Sequence, residues 1–227
     1  MISVIIPTLN VGAHLPATLQ SLVPASMEGL VSEVIIIDGG SSDDSAEIAE
    51  EMGARLIRSK KRGRGVQLAL GAKRAKGAWL LFLHADVVLS EKWVEEGRSF
   101  LLQSAPFKAG AFRFALEKKT HAARLMQWLV YWRCALFGLS YGDQGLLIHR
   151  SHYEGVGGFK PQEIMEDVDM VRRVGKKNLV MLKSPILISD RRYEEDGYLR
   201  RSCKNLFCLT LYFCKVPLST IARIYYS

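Results

Sequence analysis

Residues 2–9 form an almost unbroken apolar run that ends at polar Asn10, the pattern of a strand buried on both faces of a parallel sheet. Leu15, Leu19 and Leu22 then recur at helical spacing over 14–22. A second apolar run, 34–37, stops at Asp38-Gly39-Gly40. Asp43 or Asp44 can cap a helix over 45–52, which Gly53 closes. Residues 54–58 read as a third strand, 66–75 as a helix and 78–83 as a fourth strand. Strand and helix alternate throughout, which predicts an α/β fold with a mostly parallel sheet flanked by helices.

Beyond residue 90 the pattern loosens. It predicts a helix over 91–103, a strand over 109–116, a long apolar helix over 122–137, a strand over 144–148 and an acidic helix over 166–174. Residues 206–213, LFCLTLYF, lie between Lys204 and Lys215. That run is too short to cross a bilayer, which takes about 20 residues. It suits a packed helix, a homodimer face, or a peripheral contact with the headgroups of an anionic membrane. No repeat, low-complexity tract or linker divides the chain, so one domain over 1–227 with a C-terminal helical appendage is expected.

An apolar content of 48% supports a substantial core and argues against disorder. The net charge of +8 suits phosphate-rich partners, whether a nucleotide diphosphate, an anionic lipid surface or nucleic acid. No zinc-finger or RNP-like motif is visible, so nucleic acid is not expected as a partner. Cys134, Cys203, Cys208 and Cys214 lack CxxC spacing and read as reduced core thiols. The first strand begins at Ile2 with no charged segment and apolar stretch ahead of it, so no cleaved leader and a cytoplasmic location are expected.

The candidate chemistry sits where apolar runs end in polar residues, at the carboxyl edge of the expected sheet. Asp38 stands at one such end, beside two glycines that admit close ligand approach, and reads as a ligand contact, whereas capping of the turn accounts for Asp43 and Asp44. Asp86 ends the run WLLFLHAD, and Glu166-Asp167 opens the acidic helix. The loop RSKKRGRG, 58–65, concentrates five cations around two glycines ahead of a helix. Guanidinium forks, backbone amides and a helix N-terminus together suit a diphosphate, although a charge run also serves as a solvated face.

Taken in order, IIPTLN, IIIDGGSSDDS, GRGVQ, HAD, and GVGGF followed by MEDVD resemble a family 2 glycosyltransferase of the GT-A fold, in a short bacterial subgroup. The resemblance covers residues 2 to 175. It implies a nucleotide-binding half over 1–90, an acceptor half over 91–190 and a basic-aromatic segment over 191–227. Pro7, Thr8 and Asn10 would lie against base and ribose, with Asp38 and Gly39 beside them. Arg62 or Arg64, with Gln67, would meet the diphosphate. His84 and Ala85 would flank the nucleotide, and Asp86 would hold a divalent metal, Mg2+ or Mn2+, on the donor phosphates. Asp167, next to Glu166, is the general base implied for an inverting transfer. Asp143 and Gln144 would orient the acceptor or brace that base, while Arg191, Arg192 and Tyr193 would close over the diphosphate.

Two positions depart from the family pattern: Val11 stands where an acidic residue commonly follows Asn10, and His84 replaces the first Asp of Asp-x-Asp. The processive Gln-x-x-Arg-Trp motif is absent. Transfer of a single sugar from a nucleotide-diphosphate donor, UDP-sugars favoured, to a small-molecule or lipid-linked hydroxyl is therefore implied. Rival readings are a nucleotidyltransferase, disfavoured by the cation-free Asn10-Val11-Gly12-Ala13, and a non-catalytic nucleotide-sugar or membrane-surface binding protein.

Overall fold

The computed structural model describes residues 1–118, 120–162, 164–188 and 197–226. Its strands are β1 (Ile2–Thr8), β2 (Val31–Asp38), β3 (Arg55–Arg58), β4 (Trp79–Phe82), β5 (Val87–Leu89), β6 (Ala109–Leu116), β7 (Leu146–His149) and β8 (Leu179–Ile188). They form one sheet in the order β3-β2-β1-β4-β7-β6-β8-β5. The first half, β3 to β4, is wholly parallel. β7 then runs antiparallel between β4 and β6, while β6 and β8 pair in parallel. The helices are α1 (Leu15–Gln20), α2 (Val23–Met27), α3 (Ser45–Glu51), α4 (Arg64–Arg74), α5 (Trp93–Gln103), α6 (His121–Phe137), α7 (Arg150–Gly155), α8 (Glu166–Val174), α9 (Tyr198–Phe213) and α10 (Leu218–Tyr226).

Because successive strand residues face opposite sides of the sheet, each central strand feeds two cores. Ile2, Val4, Ile6, Ile36 and Leu81 join the layer containing Trp93 and Phe112. Ile5, Ile35, Ile37, Leu80 and Phe82 join the layer under α4 and α8, with Leu68 and Met170. Burial on both faces explains why these strands read as continuous apolar runs rather than alternating ones. α4 comes closest to the sheet at Gly71, where an added Cβ would lie 2.3 Å from Ile5 Cγ2.

A third core joins Ile164, Met165, Val168 and Val171 to Cys208, Leu209, Ile221 and Ala222. The C-terminal appendage thus packs on α8 through one face of α9, leaving Leu206, Phe207 and Phe213 exposed.

Four elements have no counterpart in the sequence reading: α2, β5, α7 and β8. In β8 the run Lys183-Ser184-Pro185 interrupts the apolar pattern, and the pairing with β6 shifts register between Ala111 and Arg113. There the amides of Lys183 and Ser184 donate to the Glu96 carboxylate at 2.6 and 2.7 Å, so a side chain on α5 replaces a strand partner. The strand expected over 144–148 begins later, because residues 142–144 form a 3-10 turn.

Candidate active site

The carboxyl ends of β1, β2 and β4 meet the N-terminus of α8 and the turn before β7. At the first two ends the side chains serve the loops themselves. Asp38 is buried and accepts from the Gly40 amide at 3.0 Å, the Ser41 amide at 3.2 Å and the Ser41 hydroxyl at 2.5 Å. Thr8 Oγ1 donates to it from β1 at 3.4 Å. Asn10 adopts φ 54 and its Oδ1 accepts the Ser42 amide at 2.8 Å, so the loops after β1 and β2 hold each other. Asp43 continues this stitching with bonds from the Gly12 and Ser45 amides, whereas Asp44 makes no side-chain cap bond.

Gln67 is turned towards the sheet. Its Nε2 donates to Thr8 O at 2.9 Å and Ile37 O at 2.7 Å from a buried position. The side chain therefore ties α4 to the sheet. Gly39 is needed beneath it, since a Cβ there would stand 3.1 Å from Gln67 Nε2 and 3.3 Å from Thr8 O. Ala85 likewise points into the core, and its carbonyl accepts from Thr18 Oγ1 at 2.9 Å.

The remaining candidates converge. Arg64 is the first residue of α4, while Arg62 is exposed on the loop ahead of it. Arg64 forms an ion pair through Nε with Glu166 Oε1, approaches Asp167 Oδ2 with Nη2 at 3.6 Å, and places Nη1 3.2 Å from His84 Nε2. The other ring nitrogen, His84 Nδ1, lies 3.9 Å from Asp86 Oδ1. One chain of contacts thus links the basic loop, the end of β4 and α8. Phe82, Leu83, Leu146, Phe159 and Met170 line the pocket beside His84, Glu166 and Asp167.

Asp167 is held from two sides. Gly142 N donates to Oδ2 at 2.7 Å and Val168 N to Oδ1 at 2.8 Å. Burial alone would raise its pKa, but Arg64, the Gly142 amide and His84 outweigh burial and hold the carboxyl below the usual range. Glu166 shifts the opposite way, because its near-complete burial outweighs Arg64.

Asp143 is pushed up to about 6 by burial, with the Asp167 and Asp86 charges adding to the rise against Arg133 and Arg64. Its Oδ1 is buried without a hydrogen-bond partner. Gln144 is a brace: Oε1 accepts from Arg133 Nη2 at 2.9 Å and Nε2 donates to Phe112 O at 3.0 Å. Arg133, which the sequence reading did not select, also lies over the Tyr141 ring at 3.5 Å. Its signal was a cation set inside the apolar run LVYWRCALF of α6. Arg191, Arg192 and Tyr193 lie outside the described residues.

The donor set suits a hard divalent cation completed by a ligand. Among the described residues no three His, Cys, Asp or Glu side chains converge on one point. Asp86 has His84 beside it, and Asp143 Oδ1 is buried without a hydrogen-bond partner; Mg2+ takes one or two carboxylates and substrate phosphates, so carboxylates of this kind are compatible with such an ion.

The family model described as glycosyl transferase family 2 matches residues 3–142, more than half of the chain. The chain belongs to glycosyl transferase family 2. Among relatives of this family 2 chain, the PGL/p-HBAD biosynthesis glycosyltransferase of Mycobacterium tuberculosis is 43% identical over 97 residues, 40% of this chain and 37% of that protein. The 4,4'-diaponeurosporenoate glycosyltransferase of Staphylococcus haemolyticus is 38% identical over 98 residues, 40% of this chain and 25% of that protein. The matches therefore span well under half the length of these curated relatives.

Two solved structures share the fold across nearly the whole chain. Glucosyl-3-phosphoglycerate synthase of M. tuberculosis, in complex with Mn2+, UDP and glucosyl-3-phosphoglycerate, superposes with a TM-score of 0.64 at 23% identity, covering 96% of this chain and 81% of that one. S. aureus TarS in complex with UDP-GlcNAc gives 0.66 at 13% identity, covering 99% and 70%. The fold of this family 2 chain is accordingly GT-A, a mostly parallel sheet flanked by helices.

Proposed function

We propose that this family 2 chain moves one sugar from a nucleoside-diphosphate donor to a hydroxyl acceptor with inversion at the anomeric carbon. The observation that carries the reading is Asp167: a carboxylate held below the usual pKa range and fixed by the Gly142 amide, beside Arg64 and lining one pocket with His84, which in turn adjoins Asp86. In the reaction the acceptor O–H proton passes to Asp167, the acceptor oxygen bonds to the anomeric carbon, and the bond from that carbon to the diphosphate oxygen breaks. Asp86, with His84 beside it, would hold a Mg2+ or Mn2+ ion, which when bound neutralises charge on the leaving diphosphate. Arg64 serves the same leaving group by charge-assisted hydrogen bonds, released from Glu166 as the donor enters.

UDP-sugars are the favoured donors, supported by the complexes with UDP or UDP-GlcNAc among the fold neighbours. The acceptor is a small-molecule or lipid-linked hydroxyl. The test is a thermal-shift and calorimetry panel of UDP, GDP and CDP and their sugars, with and without Mn2+, on wild type and Asp86→Ala. Metal-dependent stabilisation by one nucleotide class, lost in the variant, supports the reading. Silence with every nucleotide overturns it.

A further inference from the structure

Helix α6 carries its apolar stripe on the outside. Its buried residues are only Ala123, Val130 and Cys134. Leu125, Trp128, Leu129, Trp132 and Leu136 recur at spacings of three and four, which gathers them into an arc of roughly 100°. Each is between 43% and 58% exposed, and Phe137 extends the stripe at 66%. Such a stripe ordinarily faces a core; an exposed one of this length marks an interaction surface. The Trp128 and Trp132 rings meet edge to face at 6.2 Å, so the patch is continuous rather than a scatter of single residues.

The charge around the stripe is of one sign. No Asp or Glu occurs from Lys118 to Gly142, or from Gly197 to the last residue, Ser227. The second of these segments supplies α9, which lies against α6 where Ser202 Oγ meets Met126 Sδ at 3.8 Å. Arg124 on α6 and Arg200, Lys215 and Arg223 in the C-terminal segment are exposed. A second copy meeting this face through a two-fold axis would set cations against cations. Anionic headgroups complement it, and indole rings with flanking cations are the composition favoured at a membrane interface. No helix among the described residues is long and apolar enough to cross a membrane.

We propose that the exposed stripe of α6, with α9 beside it, seats in the headgroup layer of an anionic lipid bilayer, lying in its plane. α6 runs through Gly138 into the turn whose Gly142 amide holds Asp167, so the seat adjoins the segment that positions that carboxylate. The seat itself does not depend on the proposed transfer reaction.

Co-sedimentation of the full chain with extruded vesicles tests it, comparing phosphatidylcholine alone with phosphatidylcholine mixed with phosphatidylglycerol. The wild type is expected to bind the mixed vesicles at least ~10-fold more tightly, a preference that high salt erodes. Trp128→Ser with Trp132→Ser should lose ~10-fold or more of that binding with an unchanged melting curve, because both rings are exposed. Absence of vesicle binding, equal binding to neutral vesicles, or wild-type binding by the double variant would each overturn the proposal. So would a wild-type dimer in light scattering that the double variant converts to monomer, which assigns the face to a second copy.

Discussion

The backbone amide of Gly142 donates to Asp167 Oδ2 at 2.7 Å, joining the turn after α6 to the N-terminus of α8 across 25 residues. A backbone donor cannot rotate away as a side chain can, so this bond sets where the carboxylate points. Asp167→Asn keeps the size of the side chain and removes the proton acceptor. It is expected to lower kcat by about 10²–10⁴ while nucleotide affinity changes by less than about twofold. Initial rates and calorimetry with UDP on the same preparation check the split; parallel loss of both would place Asp167 in donor binding instead.

Arg64 is the principal partner of Glu166, whose side chain is 1% exposed. Arg64→Met leaves that carboxylate buried without its cation. Breaking a fully buried pair costs about 3–5 kcal/mol, but the Arg64 side chain is 36% exposed and Glu166 can take up a proton, so about 1–3 kcal/mol is expected. Glu166 already has a raised pKa, and removal of Arg64 raises it further. The cost is therefore present above the folded-state pKa and fades as pH falls towards the unfolded value. Urea unfolding at acid and neutral pH, with Arg64→Met/Glu166→Gln as the compensated variant, measures it.

Asp143 gives the clearest pH dependence. Its pKa of about 6 in the folded chain, against an ordinary 3.8, means that the folded state binds the proton more tightly than the unfolded one. Ionisation of Asp143 therefore costs stability: nothing below about pH 4, and the whole cost above about pH 6. Asp143→Asn should raise stability by about 1–3 kcal/mol at pH 8 and leave it nearly unchanged at pH 4. A flat difference between wild-type and variant melting curves across that range would show that burial does not penalise this carboxylate.

Gly71→Ala tests the seat of α4 on the sheet. Alanine favours the helix by about 1 kcal/mol, yet its methyl would lie 2.3 Å from Ile5 Cγ2 and 3.1 Å from Ile37 Cγ1. Overpacking of about 1–3 kcal/mol should outweigh the propensity gain, giving a lower melting temperature. A stabilised variant would mean that α4 lifts freely from β1 and β2.

The parallel half of the fold was legible because its central strands are buried on both faces and its helices on one, so the period changes at each boundary. β8 was not, because Glu96 satisfies the amides of Lys183 and Ser184 and lets a polar interruption sit inside a strand. The same limit applies in the site. Polar side chains at the ends of apolar runs mark Asp38 and Asp86, and the acidic helix start marks Asp167, but residue type says nothing of direction. Gln67 bonds the sheet and Gln144 bonds α6 and β6, directions that residue type alone could not give.

By itself the sequence determined the alternation of elements, the family and the residue types available to chemistry, since these follow from local periodicity and motif order. Tertiary structure alone decided that Arg64 meets Glu166 across 102 residues, that Asp167 is held ionised, and that the apolar stripe of α6 faces outward. Distance and burial belong to pairs of segments brought together by the sheet, and no single segment encodes them.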